Sequence, residues 1–373
     1  MNRRLLVLGI AVLSGCNSPK STPSTPPASD KAAVTAPAPT TPWELDNPVV
    51  PLPKPPLGTQ ADFATVAFKI TPEKVRLGRW LYFDTRLSAD NTVSCASCHH
   101  PENAFSELTP HSTGIRGQQG ARKAPTSVNG AWPLFPNYFW DGRAGSLIEQ
   151  AKGPIANPLE MGNTHEKAAA TIAAIGGYKT AFKQVWGDDR IDIERVAEAI
   201  AAYEATRMSG NSPYDRYDAG DKKAISEAAA RGRELFYGKA ACSQCHLSWN
   251  FSDSQFHNLG VGWDAAKGAK DPKAGFTDVG RAAISKKDED TGAFKTPTVR
   301  DVSKHAPYMH DGSLPTLKAV VEHYNRGGDK NPWLSKKIAP LGLTPVEIDQ
   351  VVAFMESLDG QGYQDTAPKK FPE

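Results

Sequence analysis

Two five-residue stretches, CASCH at 95–99 and CSQCH at 242–246, constrain this 373-residue chain more than anything else in it. Each places two cysteines three apart and a histidine directly after the second. A CxxC pair alone serves a zinc site, a redox disulfide or no site at all, and the adjoining histidine changes that choice. Two thiols on one turn reach the two vinyl groups of a haem, and the next residue points its imidazole at the iron. Zinc would need roughly tetrahedral ligands from both pairs, yet 147 residues separate Cys95 from Cys242 with no finger-like spacing. Disulfide exchange would want a thioredoxin-like strand pattern, which is missing. The reading is two covalently bound haem c groups, with Cys95, Cys98, Cys242 and Cys245 as thioether carriers and His99 and His246 as proximal ligands.

The length suits two or three domains, and 39% hydrophobic residues suffice for real cores. With 43 basic against 41 acidic side chains, no charge field argues for a nucleic-acid partner. The N-terminus, MNRRLLVLGIAVLSGC, has two arginines, an apolar run from Leu5 to Leu13 and small residues before Cys16, as an export signal does. That run is far shorter than the roughly 20 residues of a spanning helix. Leu-Ser-Gly-Cys is similar to the bacterial lipobox, so residues 1–15 are expected to leave. Cys16 would then anchor the mature chain by lipid at the periplasmic face, its only membrane contact. The alternative is an incidental cysteine of the signal. Residues 16–60 are dominated by Pro, Ser, Thr and Ala, which predicts a disordered tether.

GRWLYFD at 78–84 and GRELFYG at 232–238 form a faint internal repeat, each a short amphipathic helix ahead of a CxxCH. Two related modules follow, 61–220 and 221–361, with a tail at 362–373. Ile193, Val196, Ile200 and Tyr203 have the spacing of one helical face, and SGNSPYD at 209–215 breaks it. A last helix is predicted from a Thr344 cap with Glu347 in the capping-box position, burying Ile348, Val351, Val352 and Met355. No strand pattern of any length is visible, so the fold class is mainly α.

Several stretches occur together in one order over about residues 70–360: LGRWLYFDTRLSADNTVSCASCH, ARKAPTSVN, FWDGRAGSLIEQAKGPIANPLEM, NSPYDRY, CSQCH, FKTPTVRDV, APYMHDGSLPTL and VVEHYNRGG. The set resembles the bacterial dihaem cytochrome c peroxidase and MauG superfamily. The resemblance implies two cytochrome c-like helical domains, each with one haem, meeting edge to edge with a tryptophan between. That residue is Trp140, for which the alternative is a core tryptophan. It also implies an open haem site at His99 with Gln150, Pro154 and Glu160 above it, 10, 14 and 20 residues after Trp140. Glu160 would take a proton from peroxide and return it to the leaving oxygen. Asn157-Pro158-Leu159-Glu160 also fits a bland helix start, with proline first and glutamate third.

Three departures from the family pattern follow. In the peroxidase branch a loop histidine closes the open site; here that position is Ile115, with His111 as a substitute if the loop shifts. The distal ligand of the second haem, a methionine in that branch, falls on Tyr324, as in MauG; Met309 is the alternative. A hard phenolate favours ferric and higher states where a thioether favours reduced iron. The family's interdomain calcium has its asparagine ligand replaced by Lys123, while its carbonyl ligands fall on His305 and Pro307. Lysine cannot ligate calcium, so calcium is doubtful and the ammonium is expected between the same oxygens. Arg122 and Arg300 are candidate contacts of the haem propionates.

The expected activity is a dihaem oxidoreductase that reacts with hydrogen peroxide at the open haem. Its electrons would come from a small redox protein, cytochrome c or cupredoxin, or from side chains of a protein substrate. The rival is an electron-transfer cytochrome with both irons six-coordinate.

Overall fold

Gly78 and Gly232, which open the two repeated stretches, mark the two helix crossings on which the molecule is built. The structure is a computed structural model describing residues 40–373. In it a Cβ on Gly78 would stand 1.8 Å from the carbonyl oxygen of Ala199, and one on Gly232 equally close to that of Gln350. Only glycine lets the paired helices approach so far, which is why the repeat keeps it.

In chain order the helices are α1 (Pro42–Asp46), α2 (Pro72–Phe83), α3 (Leu147–Ala156), α4 (His165–Ala173), α5 (Gly176–Trp186) and α6 (Ile193–Ala205). They continue with α7 (Pro213–Asp218), α8 (Glu227–Tyr237), α9 (Ala265–Gly268), α10 (Ala282–Ser285), α11 (Leu317–Asn325) and α12 (Pro345–Glu356). Helix α2 crosses α6 and α8 crosses α12. Each CxxCH opens as one 3₁₀ turn, Cys95–Ser97 or Cys242–Gln244. No described helix is long and apolar enough to cross a membrane.

Two separate cores result. In the first, Leu77, Trp80 and Leu81 of α2 pack with Val196, Ile200 and Tyr203 of α6. In the second, Phe236 of α8 meets Val351 and Phe354 of α12. Burying one such side chain contributes about 1.5–3 kcal/mol. The capping box of α12 forms, with the Glu347 amide donating to Thr344 Oγ1 and the Thr344 amide to Glu347 Oε2. Ile348, Val351, Phe354 and Met355 are buried along it, and Val352 packs at the core's edge.

Four expectations need correction. Helix α7, expected in the first module, gives Tyr214 to the second core, its ring edge-on to Phe354 at 5.2 Å. The division therefore falls before Ser212, where a second capping box with Asp215 starts α7. A short ribbon also exists, with Phe256–Asn258 (β1) antiparallel to Ala293–Lys295 (β2) and Phe256 opposite Lys295. Three residues per strand are too few for alternation to show.

The third correction concerns residues 40–60, read as tether from composition. Thr41 caps α1, Glu44 pairs with Arg76 at 3.5 Å, and buried Asn47 donates to Arg76 O and accepts from Arg79. A few specific polar contacts hold a segment that its composition says cannot bury much. The signal, Cys16 and the tether through residue 39 lie outside the described residues. The fourth is the tail, 362–373, which folds back over the first module. Tyr363 enters the first core, Asp365 pairs with Arg79 and Arg207 at 3.0 Å, and Gly177 donates to Glu373 O.

Candidate haem centres

His99 and His246 are prepared in the same way. The Nδ1 of His99 donates to Phe105 O at 3.2 Å and that of His246 to Phe251 O at 3.0 Å. A carbonyl only accepts, so Nδ1 carries the proton and Nε2 keeps a free lone pair, the usual arrangement of a metal-binding histidine. Burial lowers both imidazole pKa values and favours the neutral form a ligand needs. Phe105 and Phe251 reach these positions through left-handed backbone, φ 55° and 50°.

Each histidine faces its own cavity, and the two cysteines of its motif line the same cavity. All four thiols are free of disulfides. Burial pushes those of Cys98 and Cys242 up to about 12, which favours the neutral thiol. Unpaired thiols, a neutral imidazole and largely apolar walls fit covalent haem in both places. Cys245, Asp253 and His257 also lie close together, but Asp253 is already held by His257 at 2.8 Å and Lys337 at 3.6 Å, so no carboxylate is left for a cation.

The first cavity, about 690 Å³, carries Gln150, Pro154 and Glu160 on its wall with His99. Gln150 and Pro154 come from α3, whose first turn is capped by Ser146. Asn157–Glu160 is a turn that closes α3 rather than a helix start, since the next helix begins at His165 behind its own Thr164 cap. In that turn Asn157 Nδ2 donates to Glu160 Oε1 at 2.7 Å, while its Oδ1 accepts from the Leu159 amide. Burial raises the Glu160 pKa, opposed by Arg143 and the Asn157 bond. Met161 borders this cavity too, but it is packed into the first core.

Ile115 does not reach the cavity. It is buried in the first core, and its amide donates to Glu160 O at 2.8 Å. A Cβ on Gly114 would stand 2.1 Å from Leu159 O, so this loop is seated directly on the Glu160 turn. His111 also lies off the cavity wall, its Nδ1 buried without a partner, although its neighbour Ser112 lines the cavity.

The second cavity, about 200 Å³, contains both Tyr324 and Met309. The two halves are built alike here. A turn with a Tyr138–Ala144 bridge presents Trp140, and one with a Tyr308–Leu314 bridge presents His310. Helices α3 and α11 begin seven residues after Trp140 and His310, behind Ser146 and Thr316 caps. Fourteen residues after each stand Pro154 and Tyr324. One helical position thus offers a phenol in the second cavity and no donor in the first. The Tyr324 hydroxyl makes no hydrogen bond among the described residues, and burial drives its pKa upward, with Cys242 and Cys245 adding to the effect. It ionises only against a cation. Met309 occupies the turn in left-handed backbone, φ 74°, where the first half has Phe139.

Trp140 lines both cavities. Its indole Nε1 donates to Lys123 O at 2.8 Å, its carbonyl accepts from the Lys295 amide at 2.8 Å, and its ring meets His310 edge-on at 6.5 Å. Lys123 is buried, and its ammonium donates to Glu107 O rather than to the carbonyl oxygens of His305 or Pro307, although all three residues line the second cavity. The expected replacement of calcium between those oxygens is not the contact formed. Burial lowers Lys123 to about 8 and His305 to about 3, and the His305 Nε2 has no partner.

The propionate assignments also change. Arg300 is 2% exposed and lies on neither cavity wall; it binds Asp215 through both terminal nitrogens and donates to Trp249 O and Gly58 O. Arg122 lines the first cavity but is held by Asp278 and Asp141, each at 2.6 Å. Two charged residues not singled out from sequence do face the cavities. Glu204 of α6 lines the first, 5% exposed with Oε2 unpartnered, and Lys295 lines both.

The sequence family described as di-haem cytochrome c peroxidase matches residues 72–223. Methylamine utilization protein MauG of Methylorubrum extorquens is 39% identical over 303 residues, covering 80% of this chain and 82% of that protein. Cytochrome c551 peroxidase of Nitrosomonas europaea is 37% identical over 294 residues, 78% and 82% of the two chains. Among solved structures, a MauG-like protein associated with microbial copper homeostasis superposes with TM-score 0.74 at 28% identity, covering 86% of this chain and 97% of that one. The diheme peroxidase BthA of Burkholderia thailandensis gives 0.67 at 26%, covering 84% and 93%. Two cavities built alike around CxxCH motifs, with one tryptophan on their common wall, thus accompany extensive likeness to dihaem enzymes, and the chain belongs to the di-haem cytochrome c peroxidase family.

Proposed function

We propose that this dihaem peroxidase-type oxidoreductase reacts with hydrogen peroxide in the His99 cavity and shares the oxidising equivalents with the His246 site through Trp140. The observation that carries the reading is the unequal pair of helical positions, Pro154 without a donor and Tyr324 with one. Haem bound at His99 supplies the redox chemistry for cleaving the O–O bond. Glu160 does the proton work: as carboxylate it accepts a proton from peroxide, and as acid it returns one to the leaving oxygen. Asn157 fixes one of its oxygens and leaves the other free of protein partners. Gln150, whose side chain makes no hydrogen bond among the described residues, is available to orient peroxide or water. Pro154 keeps a ligating side chain from its position.

Trp140 is held at its N–H and at its carbonyl, so the indole keeps one orientation between the sites, as a relay requires. Tyr324 is the donor we assign to the second haem, placing the chain with the MauG-like branch. The electrons then come from a cytochrome c or cupredoxin, or from side chains of a protein substrate. Export and lipid attachment at Cys16 belong to the same proposal; mass analysis of the mature N-terminus checks them. Calcium has no part in it, and metal analysis finding one tightly held calcium per chain would oppose it.

The test is peroxide added to the purified diferric holoprotein. A stoichiometric and long-lived change in the absorption spectrum supports the reading. Slow bleaching, with both irons six-coordinate by low-temperature EPR, supports the electron-transfer cytochrome instead.

A further inference from the structure

Lys295 is a half-buried cation on the cavity walls with no counter-charge among the described residues. Among the described residues its ammonium makes one hydrogen bond, to Thr296 O at 3.4 Å, and no ion pair within 4 Å. Asp253 is the one acid that influences it, and Asp253 is engaged by His257 and Lys337. Burial lowers the Lys295 pKa to about 8. An ammonium partly shielded from water in this way is stabilised when an anion joins it.

The anion must come from what fills the cavities. Lys295 sits with Trp140 and Lys123 on the wall common to both, whereas Cys95 and Cys98 border only the first cavity, and Cys242 and Cys245 only the second. Thioethers hold the vinyl edge of a haem and its propionates leave from the other side, so a haem bound at either motif would turn its carboxylates away from its cysteines. The remaining cations nearby are committed: Arg122 to Asp141 and Asp278, Lys123 to Glu107 O. Lys295, whose one hydrogen bond is 3.4 Å long, is the least engaged of the three. Its backbone is fixed by pairing with Phe256 across the ribbon and by the bond from its amide to Trp140 O.

We propose that Lys295 is a shared anion clamp, its ammonium binding one propionate carboxylate of each haem across the common wall. It is a positioning residue, setting the separation of the two haems beside Trp140 and holding a positive charge near both. That charge favours the reduced form of each iron, so its loss should lower both reduction midpoints together.

The inference rests on haem occupying both cavities, which the absorption spectrum and haem content of the wild-type holoprotein establish first; failure there removes the haem reading itself. With two haems bound, spectroelectrochemical titration of Lys295→Met should show both midpoints displaced downward, with Lys295→Arg near wild type. Displacement of one midpoint only, or of neither, overturns the shared clamp. Should Lys295→Met not fold, a crystal structure of the wild-type holoprotein decides: Nζ within hydrogen-bond distance of a propionate from each haem supports the inference, and contact with fewer than two haems refutes it.

Discussion

Glu160, Tyr324 and Glu204 each tie one side chain to one measurable quantity. Burial raises Glu160, so its carboxylate form appears at higher pH than for an ordinary glutamate. The rate of reaction with peroxide should therefore rise with pH through a midpoint above the usual carboxylate range. Glu160→Gln should slow that reaction about 10²-fold or more and remove this pH dependence, by stopped-flow absorbance. Tyr324→Met should give the second haem a methionine-ligated spectrum and abolish the long-lived peroxide product; an unchanged spectrum would mean that Met309 is the ligand.

Glu204 bears on stability. Burial alone raises it to about 8, so between about pH 4.5 and 8 the folded chain holds a proton that the unfolded chain has released. Stability is then greatest below that window and declines as pH rises through it, by ~5 kcal/mol at most. Glu204→Gln should flatten the decline in thermal melts at pH 5 and pH 9. The candidate haem-binding residues could be singled out because CxxCH is a local pattern. Glu204 and Lys295 were not, since a single charge in YEATR or FKTPT carries no sign of the walls that enclose it.

At the level of elements, the repeat noticed as GRWLYFD and GRELFYG turns out to be a packing device. Gly78→Ala and Gly232→Ala each force a methyl group onto a backbone oxygen, and each should cost about 1–3 kcal/mol or more by chemical denaturation. The same substitution at Gly145, where nothing approaches within 4 Å, is the control. Helices were legible where caps and spacing coincide, as in α6 and α12. The turn at Asn157–Glu160 shows the limit of that logic: proline followed two residues later by glutamate suits a helix start, but Asn157 already closes α3. The internal likeness of Trp140 to His310 and of Pro154 to Tyr324 was not drawn from sequence, because their turns share little beyond Asp-Gly.

Across the whole molecule, the segments that composition marks as least structured tie the two modules together. Arg300, held by Asp215 within the second module, also grips Gly58 O from the N-terminal segment. Arg300→Met strands a buried carboxylate and should destabilise the protein by about 3–5 kcal/mol. Both haem spectra should survive unchanged; a spectral shift would restore the propionate role. Residues 40–60 misled because proline-rich composition predicts low burial on average, whereas Asn47 and Gly58 act individually.

The returning C-terminal strap has a consequence for truncation. Tyr363 completes the first core and Asp365 neutralises Arg79 and Arg207, so the first module is completed only by chain that lies beyond the second. Cutting the chain ahead of Tyr363 should therefore loosen the half that carries CASCH in thermal melts, although every residue of that half is still present, and leave the half that carries CSQCH near its normal stability.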